Sequence, residues 1–457
     1  MVKGLIIAAP KSGTGKTIAT LAIMKMLAER GIKVAPFKIG PDFIDTSHYE
    51  YVCGVPGRNL DSFMMEDTFL KWNIKRGVEG RDCLIIEGVM GLFDGYGDEA
   101  RGSTAELAKK LKLPVILVVD AKGSSQSILP LIYGFISWDR NVMVHGVILN
   151  RINSTEHYNN LKNKIENMGI KCLGFIPNLK ELSIGERHLG LRMGFERSSE
   201  LDGGLKLVQK HLDVPKILSL IESSGMKLVD VDLPKERDYP LDIYIAKDRA
   251  FSFLYYEHID LFKYYGLKIR YFSPLEDSDI GQPDLLYIPG GYPELYAEEL
   301  SNNRILIENL NRLSQKGVHI LAECGGLIYL SSSLVKENRT YNMVGIFPFK
   351  IKMDESLRNL GYVEVYIQKD NPVFVEGDNF RGHRFHYSSI VDDNVGDIKK
   401  TYLLKRKDKE YEEGFTIKNS IASYVHINFG SNISGFLRML DRLMAVREKT
   451  RGLKEFI

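Results

Sequence analysis

The segment LIIAAPKSGTGKTIATLAIMKMLAER at 5–30 leaves little choice of local fold. An apolar run, Leu5–Ala9, breaks into a glycine-rich turn. The turn opens a stretch whose Ile18, Leu21, Ala22, Met24 and Leu27 form one apolar stripe. The expected order is strand, phosphate-cradling loop and helix, the helix running over Thr17–Arg30 with Gly31 as its stop. In such a loop glycines let backbone N–H groups close around phosphate oxygens, and the helix N-terminus adds its dipole. Gly13, Thr14 and Gly15 line the expected cradle; Lys16 is placed to reach β- and γ-phosphates, and the Thr17 hydroxyl to hold Mg²⁺. Pro10 stands where the common pattern has its first glycine. The variant K-x-G-x-G-K-T, which starts at Lys11, fits instead.

The same alternation continues. Short apolar runs stand at Val34–Phe37, Cys83–Glu87, Val115–Asp120 and Val142–Asn150, with helical stretches between. That order implies a mostly parallel, doubly wound sheet with helices on both faces. Near 222–240 the chain turns polar, charged and proline-bearing, SSGMKLVDVDLPKERDYP, which reads as a linker. A second alternating block follows, with strands expected at Ile243–Ala246, Ile269–Phe272, Leu285–Ile288 and His319–Ala322, and a strand-rich stretch over Tyr341–Tyr387. We therefore expect an α/β protein with a P-loop domain over 1–225, a linker over 226–240 and a second α/β domain over 241–457.

Carboxylates gather where open α/β sheets place their ligands, at the C-terminal ends of strands. Asp42 and Asp45 lie in GPDFID after the run at 34–37; Glu87 ends the run at 83–87, and Asp94 sits in the glycine-rich loop behind it. Carboxylates beside a triphosphate call for cations, so Asp42 and Glu87 join Thr17 as expected Mg²⁺ ligands. Taken singly, Asp42 after Pro41 and Asp94 before Gly95 also suit simple turns. Asn150, ending the run at 142–150, can read an adenine edge or cap a helix.

In the second half, HILAECGGLIYL at 319–330 is an apolar strand, a sharp turn and a helix. Cys324 thus stands on a strand-to-helix elbow, which exposes a nucleophile and lets the next N–H, that of Gly325, stabilise an oxyanion. The plain alternative is a small buried hydrophobe. His426, after the apolar strand in ASYVHINFGSN, is the expected base that makes the thiolate. Gly290 and Gly291, in IPGGYPE after another strand, are further oxyanion candidates.

Composition removes other classes. The 457 residues carry 61 Lys and Arg against 59 Asp and Glu, a net charge of +2, with no general pull toward nucleic acid or anionic membrane. Four widely spaced cysteines suggest neither a disulfide framework nor a zinc site. No apolar run is long enough to span a membrane, and a cytoplasmic, reduced setting is expected.

Together these segments resemble the cobyrinic acid a,c-diamide synthase family over nearly the whole chain. The resemblance is carried by KSGTGKT, FKIGPDFID, RNLDSFM, IIEGVMGLFDG, FSFLYYEH, IPGGYPELYAEEL, AECGGLIYL, GHRFHYS and SYVHINFGSN. It implies an N-terminal domain of dethiobiotin synthetase type and a C-terminal class I glutamine amidotransferase domain. It further implies amidation of the a and c carboxylates of a corrinoid or related tetrapyrrole, with ATP, Mg²⁺ and glutamine. Asp42, Asp45, Glu87 and Asp94 match family carboxylates that bind metal and support phosphorylation, Asp45 and Asp94 on the catalytic side. Cys324 and His426 match the nucleophile and its base.

Three departures stand out. Asn428 occupies the position where ordinary class I enzymes carry an orienting glutamate. Arg384 replaces the glutamate of the family's GHEFHYS. Lys11 replaces an often small residue; an early lysine can reach across a dimer, so a homodimer is an option. Rival readings keep the chemistry but change the macrocycle, to nickel sirohydrochlorin or hydrogenobyrinic acid. A rival of another class is a P-loop switch ATPase that binds a protein partner.

Overall fold

A computed structural model describes residues 1–457 except 98–99, 179–185, 188–189, 192, 194–197, 392–397, 408 and 453–457. The chain forms two compact units: Met1–Phe63 with Leu70–Asp232, and Met64–Phe69 with Leu233–Ile457.

The first unit runs β1 (Lys3–Ala8), α1 (Lys16–Ala28), β2 (Val34–Ile39), α2 (Ile44–Cys53), β3 (Arg58–Leu60), α3 (Asp67–Val78, whose first turn belongs to the second unit), β4 (Cys83–Glu87), α4 (Thr104–Leu111), β5 (Val115–Asp120), α5 (Ile128–Trp138), β6 (Val144–Ile152), α6 (Thr155–Glu166) and β7 (Lys171–Pro177). A short hairpin, β8 (Glu186–Arg187) and β9 (Gly190–Leu191), precedes α7 (Ser198–Gln209) and α8 (Val214–Ser223). Seven parallel strands form one sheet in the order β3-β2-β4-β1-β5-β6-β7. Strands buried on both faces need continuous apolar sequence rather than alternation; β4 and β5 read CLIIE and VILVVD accordingly. The doubly wound α/β expectation is met, and α1 begins at Lys16 with its apolar stripe buried in the core. Strand register sets the chemistry along one sheet edge. Lys38 pairs with Glu87 across β2 and β4, and Asp120 with Asn150 across β5 and β6.

The second unit holds β10 (Asp242–Ala246), α9 (Tyr256–Tyr264), β11 (Lys268–Phe272), β12 (Leu285–Ile288), α10 (Ala297–Asn302), α11 (Arg304–Gln315), β13 (His319–Glu323), α12 (Gly325–Leu330), β14 (Ser331–Lys336), β15 (Arg339–Asn342), β16 (Phe347–Met353), β17 (Asn359–Ile367), β18 (Asn379–His386), β19 (Ser388–Ile390), β20 (Lys399–Arg406), β21 (Lys409–Ile417), β22 (Ser420–Ser423), β23 (Val425–Asn428) and α13 (Ile433–Gly452). Its main sheet, β11-β10-β12-β13-β22-β21-β20-β17-β18-β23, is parallel from β11 to β22 and antiparallel beyond. A smaller sheet is ordered β15-β14-β16-β19. The segment 64–69 is part of this unit's packing: Glu66 N donates to Gly430 O at 2.8 Å. No helix among the described residues is long and apolar enough to cross a membrane.

Ile85 lies at the middle of β4, fully buried between β2 and β1. Ile85→Ala should destabilise the first unit by about 2–5 kcal/mol, through lost burial and the cavity left behind. Denaturant unfolding followed by tryptophan fluorescence checks this, because Trp72 and Trp138 both belong to that unit. An unchanged midpoint would contradict the placement of Ile85.

Candidate active sites

At the first site the chain leaves β1, turns through residues 9–15 and enters α1. Gly15 closes the turn with φ 95°, a left-handed conformation that favours glycine, and a Cβ there would run into the Asn150 amide. The Thr14 hydroxyl donates to Lys11 O at 2.6 Å and the Asn150 amide donates to Thr14 O at 2.7 Å, so Asn150 braces the loop from behind. Arg151 adds to that brace, donating to Asp120 Oδ2 at 2.6 Å and to Gly13 O at 3.3 Å. The Lys11 side chain is exposed.

The charged residues of three strand ends meet in front of α1. Lys16 Nζ donates to Met90 O at 2.6 Å and to Lys11 O at 3.3 Å. The Thr17 hydroxyl donates to Glu87 Oε1 at 2.7 Å and lies 3.4 Å from Asp45 Oδ1. Asp42 Oδ1 accepts the backbone N–H groups of Ile44 and Asp45, both at 2.9 Å, and so starts α2. Asp94 Oδ2 accepts from Gly91 N at 2.8 Å, holding its own loop. Thr17, Asp45 and Glu87 are therefore in direct contact, Asp42 borders them, and Asp94 stands one loop away.

The sequence reading missed the residue at the centre of this cluster. Lys38, buried in β2, donates to Asp45 Oδ2 at 2.6 Å, Glu87 Oε1 at 2.9 Å and Gly88 O at 3.2 Å, with Asp42 at 4.0 Å. Burial opposes its charge, but Asp45, Glu87 and Asp42 outweigh that and hold its ammonium above the ordinary lysine range. A lysine inside the otherwise apolar run VAPFKI was the available signal. Tyr49, also unforeseen, donates to Glu87 Oε2 at 2.5 Å. Burial, followed by the charge of Asp45, pushes Glu87 up to about 7. Burial and then Lys38 pull Lys16 down to about 8.

Among the described residues no group of three or more His, Cys, Asp or Glu side chains is assembled to hold a metal ion. The donor set nevertheless suits Mg²⁺. That ion takes hard oxygens and commonly one or two carboxylates, with phosphate and water oxygens completing the shell. Thr17, Glu87 and Asp45 offer such oxygens side by side.

In the second unit Cys324 sits between β13 and α12 with φ 48° and ψ −100°, a backbone strain carried by a non-glycine residue. The elbow is pinned on both sides: Cys324 N donates to Ser423 O at 2.7 Å, and Sγ contacts Phe385 O at 3.6 Å. The Gly325 N–H lies against the sulfur and favours its anion, but burial, followed by Glu294, pushes the thiol up to about 12. His426 lies on β23, opposite His383 of β18, and the two rings stack at 4.8 Å. Burial pushes His426 down to about 3.

The Gly290–Gly291 turn borders both partners. A Cβ at Gly290 would press into the His426 ring, and one at Gly325 would stand 2.9 Å from Gly291 N. The turn thus touches the ring of His426 on one side and the residue that follows Cys324 on the other. Asn428 Oδ1 accepts from Gly430 N at 2.9 Å and braces the turn after β23.

Glu323, next to the nucleophile, is a second unforeseen contributor. It accepts from Tyr287 OH at 2.7 Å and from Ile427 N at 3.0 Å. One buried carboxyl thereby joins the strands that carry Cys324, the glycine turn and His426. Burial pushes it up to about 7. The departure Arg384 is also accounted for. Its guanidinium pairs with Glu413 at 3.1 Å and lies over the rings of Tyr411 and Tyr424, at 5.0 and 5.9 Å. Glu413 in turn accepts from Ser423 Oγ and from Tyr424 N.

Comparison with known proteins agrees with both halves. Residues 5–191 match the CobQ/CobB/MinD/ParA nucleotide binding domain, and residues 242–433 the CobB/CobQ-like glutamine amidotransferase domain. The chain is 39% identical to a cobyrinate a,c-diamide synthase of Listeria innocua over 448 residues, covering 95% of this chain and 98% of that one. It is 38% identical to that of Caldanaerobacter subterraneus over 458 residues, covering 98% and 100%. It is 37% identical to that of Salmonella typhimurium over 439 residues, covering 93% and 94%. With a phosphate loop in one unit, a cysteine elbow in the other and this likeness from end to end, the chain belongs to the cobyrinate a,c-diamide synthase family.

Proposed function

We propose that this chain is a glutamine-dependent carbon–nitrogen ligase that uses ATP to amidate the a and c carboxylates of cobyrinic acid in cobalamin biosynthesis. The observation that carries the amide-donor half is the strained elbow of Cys324, whose neighbour Glu323 is hydrogen-bonded to Ile427 of the strand that carries His426. The reaction is assigned to the cytoplasm.

In the second unit, Cys324 sulfur attacks the amide carbon of glutamine. His426 takes the thiol proton and returns it to the leaving nitrogen. The C–N bond breaks, ammonia departs, and water then hydrolyses the glutamyl thioester to glutamate. The N–H of Gly325, with the Gly290–Gly291 backbone, is assigned to the oxyanion. The burial of Cys324 and His426 favours the neutral thiol and neutral imidazole. Charge separation is thereby deferred until a carbonyl is present to be attacked.

In the first unit, a carboxylate of the tetrapyrrole attacks the γ-phosphorus of ATP. ADP leaves, and ammonia then displaces phosphate from the acyl phosphate. Lys16 is assigned to the transferring phosphoryl group, and Lys38 holds Asp45 and Glu87 in place. Mg²⁺, held by Thr17, Glu87 and Asp45 with Asp42 at the border, would neutralise phosphate charge when bound. Asn150, whose amide donates to Thr14 O and accepts from Arg151 N, is assigned to holding the phosphate loop rather than to reading the adenine.

The a,c-diamidation of nickel sirohydrochlorin or hydrogenobyrinic acid would use the same groups, but the relatives bear the name of the cobyrinate enzyme. A switch ATPase is not favoured, since an amidotransferase domain spans 242–433.

Two predictions follow from this division of labour. Cys324→Ala should abolish glutamine-driven amidation yet retain activity with ammonium salts, whereas Lys16→Ala should abolish both by at least about a hundredfold. Mass spectrometry of the corrinoid product reads the outcome, and full glutamine use by Cys324→Ala would sink the assignment. The second concerns the thiol. With its pKa raised to about 12, Cys324 should be alkylated by iodoacetamide more slowly than a free cysteine at pH 8. Its rate should climb about tenfold per pH unit through pH 10, and a plateau below pH 8 would contradict this.

A further inference from the structure

The function above leaves one surface of the first unit unused. Helix α5 reads ILPLIYGFISW and carries no charged side chain, yet Ile128 and Ile132 alone are its buried residues. Leu131 is 44% exposed and Trp138 79%. Leu131, Phe135 and Trp138 are spaced i, i+4 and i+7, so they follow one another along a single helix face. Scattered exposed apolar residues are ordinary on a protein surface, but a continuous apolar row is a mark of binding.

This row leads to the phosphate site. The Phe135 ring stacks on Phe93 at 5.7 Å. Phe93 adjoins Asp94 in the loop whose Met90, with a left-handed φ of 46° and 39% exposed, accepts Lys16 Nζ through its carbonyl at 2.6 Å. From the lysine assigned to the phosphoryl group, the loop that carries Met90 and Phe93 therefore leads to the open face of α5. Gly134, in mid-helix, adds no bulk, and a Cβ there would meet nothing within 4 Å.

The charge around the track is equally selective. Asp139, at the end of α5, is paired with Lys109 at 2.7 Å, and Asp120 with Arg151 at 2.6 Å. Lys122 in the preceding loop and Arg140 just past the helix are exposed, as is the carboxylate of Asp94 beside Phe93. An uncharged face between cations suits a broad apolar ring with carboxylates on its rim, one of which must reach the Lys16 end to be phosphorylated.

We propose that the Leu131–Phe135–Trp138 face of α5, continued by Phe93 and Met90, is the platform on which the tetrapyrrole ring lies during phosphoryl transfer. This rests on the amidation reading given above. A second copy of the chain is the competing occupant, and the test separates the two.

The full-length chain is titrated with cobyrinic acid while tryptophan emission is read. Trp72 is buried and Trp138 exposed, so quenching in the wild type should be largely lost in Trp138→Phe. Ammonia-driven amidation is then measured for Leu131→Glu and the milder Leu131→Ser, with the KM for ATP as the control for an intact loop. The expected result is a KM for cobyrinic acid raised at least tenfold in Leu131→Glu, a smaller rise in Leu131→Ser, and an unchanged KM for ATP. Unchanged KM values for cobyrinic acid overturn the platform. So does an unchanged KM joined to an altered sedimentation coefficient, which would make the face a contact between copies. If the wild type does not amidate cobyrinic acid at all, the functional reading itself fails, and the ligand named here fails with it.

Discussion

The burial of Lys38 among carboxylates organises the first unit. Its ammonium bonds Asp45 from α2 and Glu87 from β4, and Glu87 also receives the hydroxyls of Thr17 and Tyr49. Four elements, α1, β2, α2 and β4, are thus joined by one charged centre. A buried ion pair is costly to form and more costly to break, since removing one member strands the other without water. Lys38, Asp45 and Glu87 consequently have to be kept together. They hold the Thr17 end of the phosphate loop in place before any phosphate arrives, which is the kind of preorganisation that electrostatic catalysis requires.

The second unit reaches a comparable result with backbone geometry. Cys324 is kept in a strained conformation by β13 on one side and α12 on the other, and Ser423 O fixes its amide. Glu323 then links the strands of the cysteine, the glycine turn and the histidine. Here a single carboxyl acts by alignment, although the position two residues past His426 holds Asn428. Asn428 is occupied with the turn that follows.

Much of this was legible in the amino-acid sequence, and the reason is physical. Parallel strands buried on both faces must be runs such as CLIIE, and the phosphate loop must have glycines where φ is positive, so β1, α1, β4 and β5 announce themselves. The elbow was legible because AECGG couples an apolar strand directly to small residues. What escaped notice depends on tertiary neighbours. Lys38 occupies a strand position whose partners lie 7 and 49 residues away, and the apolar run around it hints at burial without naming those partners. Nor does local sequence show that the carboxyl of Glu323 meets Ile427 N, 104 residues on. The segment 64–69 belongs to the second unit although it lies within the sequence of the first, a placement decided by packing on Gly430.

The ion pair of Arg384 with Glu413 has a consequence for how such chains diversify. Both side chains are almost completely enclosed, and Glu413 also anchors Ser423 and Tyr424 at the rim of the cysteine elbow. An acid at residue 384 while 413 stays acidic would confront two enclosed negative charges beside the nucleophile. The two positions are therefore coupled: a change at either one alone leaves an enclosed charge without its partner, whereas a matched change at both does not.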